Sequence, residues 1–234
     1  MTNRESILVK PVNFRFGDYI SNSFELYKNN FGQLFLGFIF VMILSIIPFC
    51  SYMAIGNYFK LCRKIKNGEH AEASEIFNFD DFSKYIILQL IIFGAVIGMI
   101  IPIMFFMPVI SAFENGGDPS PIFMMFFFIY YFAILAVIIY FSTRLFYIIG
   151  LISLLKIDDL NTAWKMTSTM VKGNYLQIIL FSIIISIIGQ IGIIACVIGV
   201  FLTLPIYYIA FYYSNEDGID QITVKDQNEV GNLN

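Results

Sequence analysis

The stretch GNYLQIILFSIIISIIGQIGIIACVIGVFLTLPIYYIAFYYSN, from Gly173 to Asn215, decides the fold because its 43 residues include no charged side chain and no histidine. One helix of this length would be about 64 Å long, whereas the hydrocarbon core of a bilayer is about 30 Å thick. The stretch is therefore predicted to fold back once, with its turn between Gly189 and Gly199. Pro205 lies inside the second arm and is expected to kink it.

Three more apolar runs precede this stretch, and they are uncharged apart from Arg144. A charged side chain at mid-bilayer costs at least about 2.5 kcal/mol, so such runs are the best markers of membrane segments. They predict an all-α fold, a polytopic transmembrane helical bundle of five to six segments in a single integral membrane domain over 1–234, with polar tails at 1–16 and 216–234. The predicted membrane segments are 31–56, 85–110, 121–150, 175–194 and 197–213.

The composition agrees with a membrane protein, since 58% of the residues are hydrophobic, 13% are charged and the mean hydropathy is +0.76. A typical soluble chain has about 45–50% apolar and about 25% charged residues. These figures exclude disorder, a nucleic-acid-binding domain and an ordinary cytosolic enzyme. The net charge of −3 is too balanced to attract polyanions, and three cysteines without a CxxC pair predict neither a disulfide framework nor a zinc site.

Basic residues orient the predicted bundle, because they are enriched on the cytoplasmic side of membrane proteins. They are frequent both before Phe31 and after the first run, although a single crossing would place these two regions on opposite faces. We therefore predict that Phe31–Cys62 is a helical hairpin broken at Pro48, either re-entrant or completed by 57–66, and that both termini are cytoplasmic. The frequent use of Ile, Phe, Lys and Asn is typical of an AT-rich bacterium, which predicts a bacterial plasma (inner) membrane location.

Two amphipathic stretches, 17–30 and 158–172, are predicted to be short interfacial helices on the cytoplasmic face. In the second, Asp158 or Asp159 is the expected N-cap, and Trp164, the only tryptophan of the chain, lies on the apolar side. The two stretches align at an offset of 144 residues. This alignment pairs three polar residues and predicts a parallel internal repeat: Lys28 with Lys172, Asn30 with Asn174 and Gln33 with Gln177.

Several short motifs resemble a known group of proteins. They are Leu26-Tyr27-Lys28-Asn29-Asn30-Phe31, Arg144-Leu145-Phe146, Ala163-Trp164 and Val171-Lys172-Gly173-Asn174, the last followed by a Gly-rich hairpin with Pro205. The chain is similar here to the superfamily of bacterial multi-pass proteins related to the membrane domain attached to some glycerophosphodiester phosphodiesterases. In the fused members a separate soluble barrel carries the hydrolase chemistry. The resemblance therefore implies a membrane module and transfers no catalytic residue.

The few polar residues in or beside the runs are the candidate structural or interface residues. Gln89 and Gln190 are expected to form hydrogen bonds between helices. Arg144 is expected either to extend to lipid phosphates or to pair with Asp158 or Asp159. His70 lies in a charged loop. No residue is predicted to be catalytic or to bind a cofactor or a metal.

These observations favour a non-enzymatic integral membrane protein, acting as a scaffold or accessory subunit of a membrane complex. Its expected partners are the lipid bilayer and a membrane protein or second copy, with no nucleic acid. The first alternative is a small transporter or lipid-handling protein. The second is an enzyme of lipid headgroups, which predicts that Arg144, Asp158, Asp159 and His70 converge in one pocket.

Overall fold

The computed structural model describes residues 10–107, 111, 114–116, 120–194 and 197–223, and the regular structure within these ranges is helical. The α-helices are α1 (Phe16–Asn29), α2 (Phe31–Ile46), α3 (Ser51–Lys66), α4 (Phe82–Ile100), α5 (Pro121–Leu145), α6 (Ile148–Ser153), α7 (Leu160–Met170), α8 (Tyr175–Gln190) and α9 (Val197–Ile222). Short 3₁₀ helices cover Ala73–Phe77, Ile101–Phe106 and Ile191–Ile194.

Three helical stretches of the described chain are long and apolar enough to cross a membrane: Phe82–Ile100, Pro121–Ser153 and Tyr175–Ile193. A fourth crossing results if α1 and α2 count as one span, although the chain bends by 104° between them. Length and composition therefore support three or four crossings, fewer than the five to six predicted. Residues 108–110 of the predicted segment 85–110 lie outside the described residues.

The chain reverses direction around Pro48, because α2 ends at Ile46 and α3 begins at Ser51. Phe49 in this turn has a φ of 65°, a left-handed conformation that a continuous helix does not contain. The Tyr58 hydroxyl of α3 donates to the Leu34 carbonyl of α2 at 3.1 Å. The two helices therefore lie antiparallel, as a hairpin.

The centre of the bundle is α6, all six residues of which are buried between α3 and α9. The Asn215 side chain of α9 packs directly on the α6 backbone at Gly150, where a Cβ would lie 2.4 Å from the Asn215 Oδ1 atom. The Phe59 ring of α3 contacts the Phe211 ring of α9 at 5.3 Å between centroids. Burying one large apolar side chain stabilises the fold by about 1.5–3 kcal/mol, so this contact joins the two hairpins strongly.

The second hairpin turns where the sequence predicts it, because α8 ends at Gln190 and α9 begins at Val197. The two arms touch at Gly192, where a Cβ would lie 2.2 Å from the Gly199 carbonyl carbon. The Thr203 hydroxyl donates to the Gly189 carbonyl at 2.6 Å. Pro205 is buried, and α9 is assigned as one helix through it.

The predicted polar tails need correction at both ends. Residues 10–15 pack against the bundle: the Val12 amide donates to the Met170 carbonyl at 3.1 Å, and the Gln221 side chain donates to the Asn13 carbonyl at 3.0 Å. At the other end, α9 continues to Ile222 and buries that residue. Its apolar stripe continues past Asn215, the last residue of the uncharged run, because Ile219 and Ile222 are buried, and residues 216–222 are therefore part of the fold. Residues 1–9 and 224–234 lie outside the described residues.

Candidate functional site

The described residues form seven ion pairs, and all but the local pair Lys84–Asp81 join different segments of the chain. We call the residues that form them the charged layer: Arg15, Lys60, Arg63, Lys64, Lys66, Glu75, Asp81, Lys84, Asp158, Glu216 and Asp217. The layer connects the start of α1, the second half of α3, the start of α4, the segment before α7 and the last turns of α9. These segments therefore meet at one end of the bundle.

Helix α3 contributes the most residues to the charged layer. Its polar residues also bind the loop between α3 and α4. The buried Asn57 amide donates to the Ile76 carbonyl at 3.0 Å and to the Asn78 carbonyl at 2.7 Å. Lys60 pairs with Asp81 at 2.6 Å. Partial burial works against ionisation of Asp81, but hydrogen bonds from Lys60 and from the start of α4 outweigh it and lower the pKa of Asp81 below its ordinary value.

Glu216 is the most buried charged side chain of the layer, with 6% of its surface exposed. The Arg63 Nε atom lies 3.2 Å from one carboxylate oxygen, and the Lys66 Nζ atom lies 2.5 Å from the other. A carboxylate removed from water is tolerated only when such partners compensate for the lost hydration. Glu216 therefore fastens α9 to α3.

Asp217 connects α9 to the start of α1 in the same way. It accepts hydrogen bonds from Arg15 at 2.5 Å and from the Tyr19 hydroxyl at 2.6 Å. Burial, together with the hydrogen bond to Asp217, raises the pKa of Tyr19, so this phenol remains a donor. A cavity of about 420 Å³ lies beside the pair and is also lined by Asp18 and Asp220.

Arg144 does not pair with Asp158 or Asp159, which corrects one of the two predicted roles. Its guanidinium donates to the Ser168 hydroxyl of α7 and lies 4.6 Å from the centre of the Tyr140 ring. It also lies 5.5 Å from the centre of the Trp164 ring. Within the described residues, Arg144 has no carboxylate partner.

The two aspartates have separate roles before α7. Asp158 pairs with Lys84 at 2.5 Å and is largely exposed. Asp159 is the N-cap of α7, accepting from the backbone amides of Asn161 at 3.2 Å and Thr162 at 2.9 Å. Hydrogen bonds from the Thr162 hydroxyl and then from its backbone amide lower the pKa of Asp159.

Trp164 borders an open cleft of about 430 Å³ between α4 and α5. Its ring is 5.6 Å from that of Phe141 on α5. The cleft lining is mostly apolar, and the start of α7 contributes Asp159 and Asn161 at one end. Trp164 therefore lies on the apolar side of α7.

The other candidates lie apart from one another. The Gln89 amide donates to the Ser51 hydroxyl at 2.7 Å and so joins α4 to α3. Gln190 is exposed at the end of α8, and His70 is exposed in the loop after α3. Pro48 and Pro205 lie in a turn and in α9, respectively.

Sequence patterns alone do not reveal the charged layer at its most important positions, because Glu216 and Asp217 fall in the segment predicted to be a polar tail. A helical signal was present, since Tyr212, Ile219 and Ile222 continue the apolar stripe of α9 and are buried. No group of three His, Cys, Asp or Glu residues suited to a metal ion occurs in the part of the chain that the structure describes.

The long apolar helices indicate a helical membrane protein. Comparisons with protein-family models, with curated proteins and with solved structures found no match. The resemblance to the membrane domain of glycerophosphodiester phosphodiesterases therefore stays a prediction. Function has to be argued from the residues of this chain.

Proposed function

We propose that the protein is a non-enzymatic, multi-pass membrane subunit that binds a membrane helix of a second copy or of another protein through α4. The observation that carries this proposal is the unused packing space at Gly94 and Gly98. A Cβ added at either residue would meet no atom within 4 Å. Both lie inside a helix, where glycine costs about 1 kcal/mol relative to alanine.

The other glycines in the membrane helices and their packing partners do have a packing role within the chain. At each of them a Cβ would meet another atom at 3.1 Å or less: Gly37, Gly56, Gly150, Gly189, Gly192, Gly199 and Gly218. Gly17 and Gly32, near the starts of α1 and α2, are exceptions with open space. Glycines in the interior of this bundle thus allow helices to pack closely. At Gly94 and Gly98 of α4, no helix of the described chain packs in this way.

The spacing of Gly94 and Gly98 suits a helix interface. Residues four apart lie on one face of a helix, and a GxxxG pair in an apolar helix lets a second helix approach closely. Two large apolar side chains on the same face as the glycines, Leu90 and Ile97, are exposed and are therefore also free to meet a partner.

The topology proposed for this subunit is five to six membrane segments in the bacterial plasma (inner) membrane, with both termini cytoplasmic. The charged layer supports this orientation, because it gathers segments from both ends of the described chain on one side of the bundle. Basic residues are frequent in the same segments, as on the cytoplasmic side of other membrane proteins.

A parallel internal repeat is part of the proposal, and the helix boundaries support it. Helix α2 covers Phe31–Ile46 and α8 covers Tyr175–Gln190, so both ends differ by 144 residues. The preceding helices, α1 and α7, begin at Phe16 and Leu160, which differ by the same number. An interfacial helix followed by a membrane hairpin is the proposed repeating unit.

The experiment compares the wild-type protein with Gly94→Ile/Gly98→Ile in a mild detergent. We expect the wild type to elute as an oligomer, or with a stoichiometric membrane partner, and the double variant to elute alone as a monomer, as measured by light scattering and cross-linking. The matched control is Val96→Phe, because Val96 lies two residues from each glycine and therefore on the opposite face of α4. A wild type that is monomeric and alone, or a double variant that keeps its partner, would contradict the proposal.

The headgroup-enzyme alternative receives no support from the geometry. Its four residues have different environments: Asp158 pairs with Lys84, Asp159 caps α7, Arg144 donates to Ser168, and His70 is exposed in the loop.

A further inference from the structure

The cleft between α4 and α5 has the shape of a site for a narrow apolar ligand. Its walls come from the two helices, through residues such as Ile91 and Ala95 on α4 and Phe141 and Leu145 on α5. Ile148 and Trp164 also line it, together with Asp159 and Asn161 at the start of α7. The volume of about 430 Å³ lies in the range of small-molecule sites, which is about 300–1,000 Å³.

A helix of a partner protein is the wrong size for this cleft. A helix with its side chains is about 10–12 Å across, so even two of its turns would need more volume than the cleft has. An unbranched hydrocarbon chain is much thinner and matches the apolar lining. Both walls belong to helices suited to a bilayer, so acyl chains are the apolar groups at hand.

Two groups at or beside the α7 end of the cleft suit the polar end of a phospholipid. Trp164 presents an indole, which suits the boundary between headgroups and acyl chains. Next to it, 5.5 Å from the centre of the indole, lies the Arg144 guanidinium, which has no carboxylate partner in the described residues and whose Nε–H donor has no hydrogen-bond partner there. A phosphate is the anion whose geometry a guanidinium fits best.

We propose that the cleft between α4 and α5 binds one acyl chain of a membrane phospholipid, with its phosphate against Arg144 and Trp164. This site is independent of the helix contact at Gly94 and Gly98, neither of which lines the cleft. A bound lipid also fills the space between two helices that otherwise expose apolar side chains.

Trp164 allows a direct test, because it is the only tryptophan of the chain. The purified protein in detergent is titrated with phosphatidylglycerol that carries bromine atoms on its acyl chains, and the tryptophan emission is recorded. We expect quenching that saturates at about one lipid per protein and is reversed by unbrominated phosphatidylglycerol. Quenching that rises linearly without saturation would overturn the proposal.

Two adjacent substitutions separate the cleft from general contact with lipid. Ala95→Phe places a phenyl ring in the cleft. We expect the affinity for brominated lipid, measured from the saturable quenching, to fall about tenfold or more. Val96→Phe adds the same ring to an exposed neighbour outside the lining and is expected to leave quenching unchanged. Equal quenching in both variants, when both elute as single folded species, would also overturn the proposal.

The phosphate contact is tested separately. Arg144→Gln is expected to weaken binding of brominated phosphatidylglycerol by about tenfold, the size of one lost charge-assisted hydrogen bond. Brominated diacylglycerol, which lacks a phosphate, should bind weakly and equally to the wild type and to Arg144→Gln. If diacylglycerol binds the wild type as tightly as phosphatidylglycerol does, the assignment of Arg144 is wrong.

Discussion

Single charged residues decide which helices stay together at the polar end of this bundle. Glu216 is held by Arg63 and Lys66 on α3, and Asp217 by Arg15 and Tyr19 at the start of α1. The two neighbours on α9 thus bind two different helices. Because the Glu216 carboxylate is almost fully buried, its partners matter more for stability than those of an exposed pair.

Glu216→Gln is expected to destabilise the protein by about 3 kcal/mol, because it leaves two cations beside a buried neutral group. The measurement is the thermal unfolding midpoint in mild detergent, followed by circular dichroism. Glu25→Gln is the matched control, since Glu25 is exposed on α1. Equal midpoints for the two variants would show that Glu216 does not hold α9 to α3.

The ion pairs of Asp81, which hold the loop between α3 and α4, should make the stability of the protein depend on pH. The pKa of Asp81 is lower in the folded protein than its ordinary value of 3.8, so the folded state favours the ionised form. The resulting stabilisation is present at neutral pH and is lost as the pH falls through the lowered pKa. We expect Asp81→Asn to lower the unfolding midpoint at pH 7, and the difference from wild type to shrink below about pH 4. A difference that stays constant with pH would contradict this.

At the scale of the elements, each hairpin closes in its own way. The α2–α3 turn contains Pro48 and the left-handed Phe49, whereas α8 and α9 meet through Gly192 and Gly199. Pro205 lies within an assigned helix instead of ending it, and packing in a bundle accommodates such a proline. Helix α6 is too short to cross a membrane, but it fills the centre where α3 and α9 would otherwise leave a gap.

Gly192→Ala tests the contact between the arms of the second hairpin. The added Cβ would lie 2.2 Å from backbone atoms at Gly199, which cannot move away as a side chain does. We expect a loss of about 1–3 kcal/mol of stability, typical of overpacking. Gly32→Ala is the control, because a Cβ there meets nothing within 4 Å and alanine favours the helix. An equal or higher midpoint for Gly192→Ala would contradict the close contact.

The sequence predicted the elements better than the contacts between them. The break at Pro48, the turn after Gly189 and a cap at Asp158 or Asp159 follow from local properties, namely the missing amide of proline, the flexibility of glycine and the capping carboxylate. The partner of Arg144 did not follow, since the choice between Asp158 and Ser168 depends on how α7 lies against α5. Glu216 was missed because charge alone does not distinguish a helix end from a tail.

At the scale of the whole molecule, the charged layer lies at one end of the bundle, so the two ends differ in polarity. Segments from the start of α1 to the last turns of α9 meet there, while the apolar parts of α4, α5 and α8 extend away from it. This arrangement places residues near both ends of the described chain on the same face. The proposed orientation puts that face in the cytoplasm and the loop containing Asn115 outside.

Cysteine labelling in intact cells checks this orientation. Asn115→Cys should react with a membrane-impermeant maleimide from outside, whereas Ser21→Cys and Asp220→Cys should react only after permeabilisation. All three positions are exposed, so access reports the side of the membrane and not burial. The unsubstituted chain gives the background of its native cysteines. Labelling of Ser21→Cys in intact cells would reverse or refute the proposed topology.

The sequence by itself determined the apolar runs, the places where they turn and the amphipathic helices between them, because hydropathy and turn chemistry act over short stretches of chain. Only the tertiary structure decided that α9 extends to Ile222, that Glu216 and Asp217 bind two different helices, and that Arg144 contacts Ser168 beside the cleft between α4 and α5. The physical reason is that the free energy of a charge in a membrane protein depends on what compensates for its lost hydration. For Asp217 that compensation comes from Arg15, 202 positions away in the chain.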